Sequence, residues 1–436
     1  MSKSEKFIDW CDKAMAFSFY ALIYFLPISI ALAETFTGTA FFFFLLKRGT
    51  VLCVRLREKN KAKKGIGFFA RNFLSSFKPV SSGLNIPILI VLCFNLISVM
   101  QSQFLMQSIE GFVGKVLQSV FLYFNFTEVM RTRKRLKRFL SVFLISCTLI
   151  TINGYFQMLT GKGFIFGHAF DGRISSSFRH ANDLGAYLLI VVPILFCISV
   201  LPKRSKNPLK KNVGYRSISF SPIVQFALFL LFLATFITIG LTYSRGVWIG
   251  FILSLLLLGI FGIRQRKIII YFSVLAVAFL LMFYPKIYDQ RTLLKDFKTS
   301  LAHNNRIVYW ERSIQIVKDY PLFGCGLNTY AQVEGRYTAG WGGYPHNSYL
   351  QMLAEIGPFG LAAFLWMLIV LFRDSLRALK KIKIQENKLL LFGFQTGLLG
   401  FLIHSFFDTN FYSVQLGSLL WIIIGCVVRF SDIENV

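Results

Sequence analysis

Acidic residues are scarce in this chain, with 20 Asp and Glu against 48 Lys and Arg. Those on the side away from the basic clusters are dispersed without a DxD pair, the arrangement of adjacent carboxylates that holds a catalytic cation. A metal-dependent mechanism is therefore not expected. Cysteines number 7. Cys11, Cys53, Cys93, Cys147, Cys197 and Cys426 fall within or beside apolar runs or on the basic side, which leaves Cys325 alone in polar sequence. That distribution offers neither a disulfide framework nor metal-ligand spacing. A GxxxxGK[ST] phosphate loop is lacking, so nucleotide chemistry of that kind is not indicated. Nor is a cleavable signal peptide expected: the first apolar run passes directly into more apolar sequence and reads as an anchor.

Apolar sequence dominates instead. The 436 residues are 55% hydrophobic and 17% aromatic, with 49 Phe, far more than a soluble domain keeps from aggregating. An all-α polytopic membrane protein is the expected fold class. A span needs roughly 20 apolar residues. By that rule twelve are expected, near 14–33, 35–54, 84–102, 111–130, 139–158, 183–201, 221–242, 247–263, 268–284, 350–372, 389–405 and 412–428. The second is the weakest, because Lys47 and Arg48 interrupt it and must snorkel to the surface. The chain thus divides into 1–284 with helices one to nine, a polar loop at 285–349, and 350–436 with the last three helices and a C-terminal tail.

The formal net charge of +28 raises the question of nucleic acid. The basic residues, however, sit in short clusters between apolar runs, such as RTRKRLKR and KRSKNPLKK, which is the pattern of topology signals and lipid contacts. With a cytoplasmic N-terminus, 35 of the 48 fall on the cytoplasmic side, and every cluster lands there. Both ends are assigned to the cytoplasm, and nucleic acid is not expected as a partner.

The opposite face carries three polar features: the segment 161–183, the minimal turn SRG at 244–246, and the loop 285–349. In that loop Ile307, Trp310, Ile314 and Val317 recur at helical spacing until Tyr320-Pro321 stops the helix. An amphipathic helix on the membrane face accounts for it. LFGCGLNTY and GWGG then supply turns that fold the loop back.

Against the inside bias, arginines on the outer face need a reason. Arg245 in LTYSRGVWIG is an expensive charge near the hydrocarbon boundary, either functional or a snorkelling helix-end residue. Arg173 and Arg179 stand in GRISSSFRH, among hydroxyls just before a helix, an arrangement suited to a phosphate. Arg173 is the expected ligand and Arg179 its support; contact with lipid headgroups is the alternative for one of them. His346, followed by Asn347, ends the long polar loop. Imidazole titrates near neutrality and suits a general base, the alternative being a His that only hydrogen-bonds its loop. Asn347 is read as orienting the His or its loop, and Trp310 and Phe359 as packing. Together, a cationic pair and a base suggest a phosphorylated leaving group and a hydroxyl to be activated. His404 and Asp408, in HSFFDTNF, are one helical turn apart and are read as a capping or hydrogen-bonded pair, with an acceptor groove as the alternative.

RISSSFRHAN, TYSRG, RIVYW followed by PLFGCG, and PHNSYLQMLAEIGPFG resemble, in order and spacing, the O-antigen ligase and polymerase family of bacterial membrane glycosyltransferases. The motifs cover residues 173–360. The resemblance implies a GT-C-like protein of twelve transmembrane helices with one large periplasmic loop. Its site would lie on the periplasmic face of the inner membrane, and it would need no cofactor. It further implies transfer of a glycan from undecaprenyl diphosphate to a hydroxyl of the lipid A core. Carried over onto this sequence, the essential residues are Arg173, Arg245 and His346. Arg173, Arg245 and Arg179 then bind diphosphate, with Asn347, Ser176 and Asn182 in support. Departures are Ser176 where the family prefers glycine and Ala181 where proline often precedes the Asn. Alternatives are a repeat-unit polymerase with another carrier-linked glycan as acceptor, a protein O-oligosaccharyltransferase, or a non-enzymatic transporter of lipid-linked glycan. A transporter is disfavoured because the expected span centres carry almost no charge.

Overall fold

The computed structural model describes residues 2–58, 66–199, 221–261, 274, 277, 306–337 and 343–432. In chain order the helices are α1 (Lys3–Phe25), α2 (Ile30–Glu58), α3 (Ile66–Phe77), α4 (Asn85–Gln101), α5 (Leu105–Gly111) and, after a π-helical turn at Phe112–Leu117, α6 (Gln118–Val129). There follow α7 (Arg133–Thr160), α8 (Ala181–Ser199), α9 (Pro222–Leu241), α10 (Arg245–Phe261), α11 (Arg306–Asp319) and α12 (Tyr330–Glu334). The last three are α13 (Ser348–Lys381), α14 (Gln385–His404) and α15 (Val414–Ser431). Among the described residues there is no strand, only an isolated bridge between Lys162 and Ala169.

Six helices, α2, α7, α8, α9, α13 and α15, are long and apolar enough to cross a membrane, and α4 and α10 are shorter apolar helices. Two expectations change. The first span, placed at 14–33, is broken after Phe25, where Pro27 removes a backbone N–H from the helical ladder and its ring crowds the preceding turn. The second is not interrupted by its charges, since α2 runs unbroken through Lys47 and Arg48. Both cations are compensated inside the bundle: Lys47 reaches Asp12 at 2.9 Å and Glu128 at 2.6 Å, Arg48 also pairs with Glu128, and Arg135 binds Asp12 at 2.6 Å. The ninth expected span, 268–284, and the basic clusters 203–216 and 264–267 lie outside the described residues, apart from isolated helical positions 274 and 277.

At the centre stand α8 and α14, both almost wholly buried. They approach so closely that a Cβ on Gly397 would lie 2.5 Å from the Ile190 carbonyl oxygen. On its other side α14 meets α10, where a Cβ on Gly250 would lie 2.7 Å from the Gly400 carbonyl oxygen. Small residues let apolar helices pack backbone to backbone, where dispersion contacts hold them. This packing fixes the end of α14 at His404 beside the beginnings of α8 and α10.

The loop helix forms as its periodicity predicts, at Arg306–Asp319, and stops just before Tyr320-Pro321. Its faces divide differently from the expected single stripe. Ser313 and Ile316 are buried and Val317 packs with them against Cys325, Tyr330, Val333 and Ala354, whereas Ile307, Trp310 and Ile314 stay exposed. Of the GWGG turn only Gly343 is described. Inside α13, Gly357 takes φ 72°, and the crossing Leu322 carbonyl sits so close that a Cβ there would collide with it. Only glycine tolerates both conditions.

Candidate functional site

Four helix ends converge at the end of the bundle opposite the Lys47–Glu128 network: the C-termini of α9 and α14 and the N-termini of α8 and α13. His346 immediately precedes the N-cap of α13. Its φ of +48° is uncommon for a residue with a side chain and persists only where the surroundings fix it. Three anchors do so. Asn347 caps α13, its side-chain oxygen accepting from the backbone N–H of Tyr349 and Leu350 at 3.0 Å each. The Ser348 N–H donates to the Ser405 carbonyl at 2.8 Å, and the Ser348 hydroxyl to the Asp408 carbonyl at 2.8 Å. The Trp310 indole N–H donates to the Pro345 carbonyl at 2.7 Å.

Held this way, the His346 ring meets Asp408, with Nδ1 and Oδ1 3.2 Å apart. Asp408 lies in the turn after α14, its side chain 14% exposed against 43% for His346. Burial by itself raises a carboxyl's pKa, but hydrogen bonds from His346, the Thr409 N–H and Asn182 outweigh it and hold Asp408 well below the usual carboxylate range. An ionised carboxylate only accepts, so the contact has His346 donating from Nδ1, the tautomer whose neutral ring carries its lone pair on Nε2.

Asp408 is in turn tied to an arginine. Its Oδ2 accepts from Asn182 Nδ2 at 2.9 Å, and Asn182 Oδ1 accepts from Arg173 Nη2 at 2.6 Å. The Arg173 Nε donates to the Thr242 carbonyl at 2.7 Å, joining the loop before α8 to the end of α9. Burial pulls the Arg173 guanidinium somewhat below its ordinary value, against the attraction of Asp171 and Asp408. Arg245 opens α10 three residues after Thr242 and is exposed. Its neighbour Gly246 lies against Phe407 and His404, so the Arg245 backbone borders the same turn that carries Asp408.

Of the residues singled out in the sequence, Arg173, Asn182 and His346 are therefore brought together, and Arg245 stands beside them. Arg179 is exposed, and among the described residues no hydrogen bond or ion pair joins it to this cluster. Ser176 faces away. It is fully buried at φ 56°, its N–H and hydroxyl bonded to Gln157 and to the Ile150 carbonyl, so it anchors the loop to α7. The left-handed backbone there explains why glycine suits the position. Asn347 orients the loop by capping a helix and does not touch the ring. The expected His404–Asp408 hydrogen bond is absent, because buried His404 pairs with Asn410 at 2.9 Å while Asp408 turns to His346 and Asn182.

Sequence reasoning missed Asp408 as the partner of His346 and gave Trp310 a packing role only. It also missed the brace behind the loop: Arg312 reaches buried Glu334 at 2.6 Å, and Glu334 accepts from the Gly343 N–H at 2.8 Å. Asp408 did carry a signal, being one of few acids in a basic chain. What hid its role is a separation of 62 residues from His346.

Among the described residues no group of three or more His, Cys, Asp or Glu is placed to hold a metal ion. The arrangement offers a partly exposed imidazole, a carboxylate behind it and the Arg173 guanidinium joined to that carboxylate through Asn182. That set can take a proton from a hydroxyl and stabilise an anionic leaving group.

No curated protein matches the chain. Residues 226–365 match a family model described as O-antigen ligase. The match contains Arg245, Trp310, His346 and Asn347, whereas Arg173, Asn182 and Asp408 lie outside it. The apolar helices suggest a multi-pass membrane protein, and the segment 226–365 is similar to the domain that defines the O-antigen ligase family.

Proposed function

We propose that this protein is a metal-independent, inverting glycosyltransferase that moves a glycan from undecaprenyl diphosphate to a hydroxyl of the lipid A core. The observation that carries the reading is the continuous connection Arg173–Asn182–Asp408–His346, which sets a base and an anion ligand in one rigid frame. In this reading the chain crosses the bacterial inner membrane twelve times with both termini cytoplasmic and the loop 285–349 in the periplasm. The clustering of Lys and Arg supports that orientation, as does the placement of the Lys47–Glu128 network and the His346 site at opposite ends of the bundle.

In the proposed reaction His346 Nε2 removes the proton of the acceptor hydroxyl. The oxygen attacks the anomeric carbon from the face opposite the diphosphate and forms the new glycosidic bond. The bond from that carbon to the phosphate oxygen breaks, its electron pair stays on the oxygen, and undecaprenyl diphosphate departs. Arg173 and Arg245 stabilise the charge that grows on the departing group. Asp408 keeps the proton of His346 on Nδ1 and stabilises the imidazolium as it forms.

Transfer by the purified protein in liposomes tests this, with an undecaprenyl-diphosphate glycan as donor and lipid A core or a second carrier-linked unit as acceptor. Glycan on lipid A core is the expected result. Lengthening of chains on the carrier means a polymerase, and labelled carrier crossing the bilayer with neither acceptor used overturns the enzymatic reading.

A further inference from the structure

Arg306, the first described residue of α11, precedes Trp310 by one helical turn, so the two share a face. Trp310 on that face donates to Pro345, the residue before His346, which sets Arg306 toward the same site. Its positive charge is felt at Arg173 and at His404. Arg306 is half-buried, and among the described residues its guanidinium makes no hydrogen bond or ion pair. The site's own carboxylate is not free to serve it, since Asp408 is engaged by His346, Asn182 and the Thr409 N–H. Arg173 spends Nε and Nη2 on Thr242 and Asn182, and its Nη1 has no partner among the described residues. Two guanidinium groups held near each other with unspent donors repel unless an anion lies between them. A diphosphate fits, offering each arginine its own phosphate in the bidentate geometry that guanidinium prefers.

From this juxtaposition we infer that Arg306 is a further ligand of the donor diphosphate, gripping it from the loop side while Arg173 grips it from the loop before α8. The inference rests on the proposed glycosyltransferase reading and deepens it. It also makes one helix serve both tasks, because α11 carries the anion ligand at Arg306 and braces the His346 loop through Trp310. A phosphate on the acceptor presents the same chemistry, and the kinetics separate the two sources.

The test measures binding of undecaprenyl diphosphate to the purified protein in nanodiscs, without acceptor, for wild type, Arg306→Gln and Arg306→Lys. Loss of a charge-assisted contact is expected to weaken binding by roughly ten- to a hundredfold in Arg306→Gln, with Arg306→Lys between it and wild type. In liposomes the donor KM should rise in parallel and the acceptor KM should stay. Equal binding by wild type and Arg306→Gln, or a change confined to the acceptor KM, overturns the inference. Carrier binding that depends on Arg306 in a protein that transfers no glycan would uphold it and overturn only the transferase reading. Because Arg306 bonds to no described residue, the melting temperature of Arg306→Gln should match wild type. If that variant does not fold, Arg306→Lys, which keeps the charge and loses the fork, decides by the same binding measurement.

Discussion

His346 Nδ1 lies 3.2 Å from Asp408 Oδ1, although 62 residues and the helices α13 and α14 separate them. The contact occupies Nδ1 and leaves Nε2 as the ring nitrogen not engaged by Asp408. It also makes two side chains from different loops act as one unit.

Removing the base should therefore cost most of the catalysis. His346→Ala is expected to lower the transfer rate by about 10²- to 10⁴-fold, with membrane content unchanged. Asp408→Asn should approach that loss, and the double variant should be no slower than His346→Ala alone, since Asp408 acts through His346. Near-normal transfer by Asp408→Asn in liposomes would dismiss the paired mechanism.

The same carboxylate predicts an acid-side effect on stability. Its folded-state pKa is depressed below the ordinary 3.8, so its contribution is complete above that value and fades as pH falls beneath it. Melting temperatures of wild type and Asp408→Asn in detergent should differ at pH 7, and the gap should begin to narrow only below about pH 4 and close as pH falls further toward the depressed folded pKa. A gap that instead widens on acidification would contradict the ionised carboxylate.

Trp310→Phe keeps an aromatic ring and deletes the N–H that holds the Pro345 carbonyl. A single hydrogen bond of this kind is worth about 1 kcal/mol, so stability should change little. The loop that positions His346 loosens, however, and kcat should drop about tenfold while donor KM holds. An unchanged kcat would return Trp310 to a packing role.

For Arg245, exposed at the start of α10, the substitution by Lys separates two readings. Bidentate contact with a phosphate needs the planar fork, and Arg245→Lys then transfers at least about tenfold more slowly. Full activity would assign the residue to snorkelling at the helix end.

Legibility in the sequence followed the range of the physical cause. Period and length marked most helices, since burial of an apolar face is written in adjacent residues. α11 was located from four apolar positions and a Tyr-Pro stop. Pro27 was readable too, yet the unbroken hydrophobic run hid the break it makes. The long α2 was obscured because its buried cations are neutralised by Asp12 and Glu128 on other helices.

The sequence by itself determined that this is an apolar, basic, helical chain with His346 and Arg173 in segments between helices and Arg245 at a turn that opens a helix. It determined this because composition, hydrophobic period and isolated polar residues are local properties. Tertiary structure decided which of those residues meet. Asp408 becomes the partner of His346, and Asn182 the bridge to Arg173, only because α14 packs backbone to backbone on α8 and α10 through Gly397 and Gly250. That packing carries the turn after His404 to the N-termini of α8 and α13, a distance in the chain that no local pattern can encode.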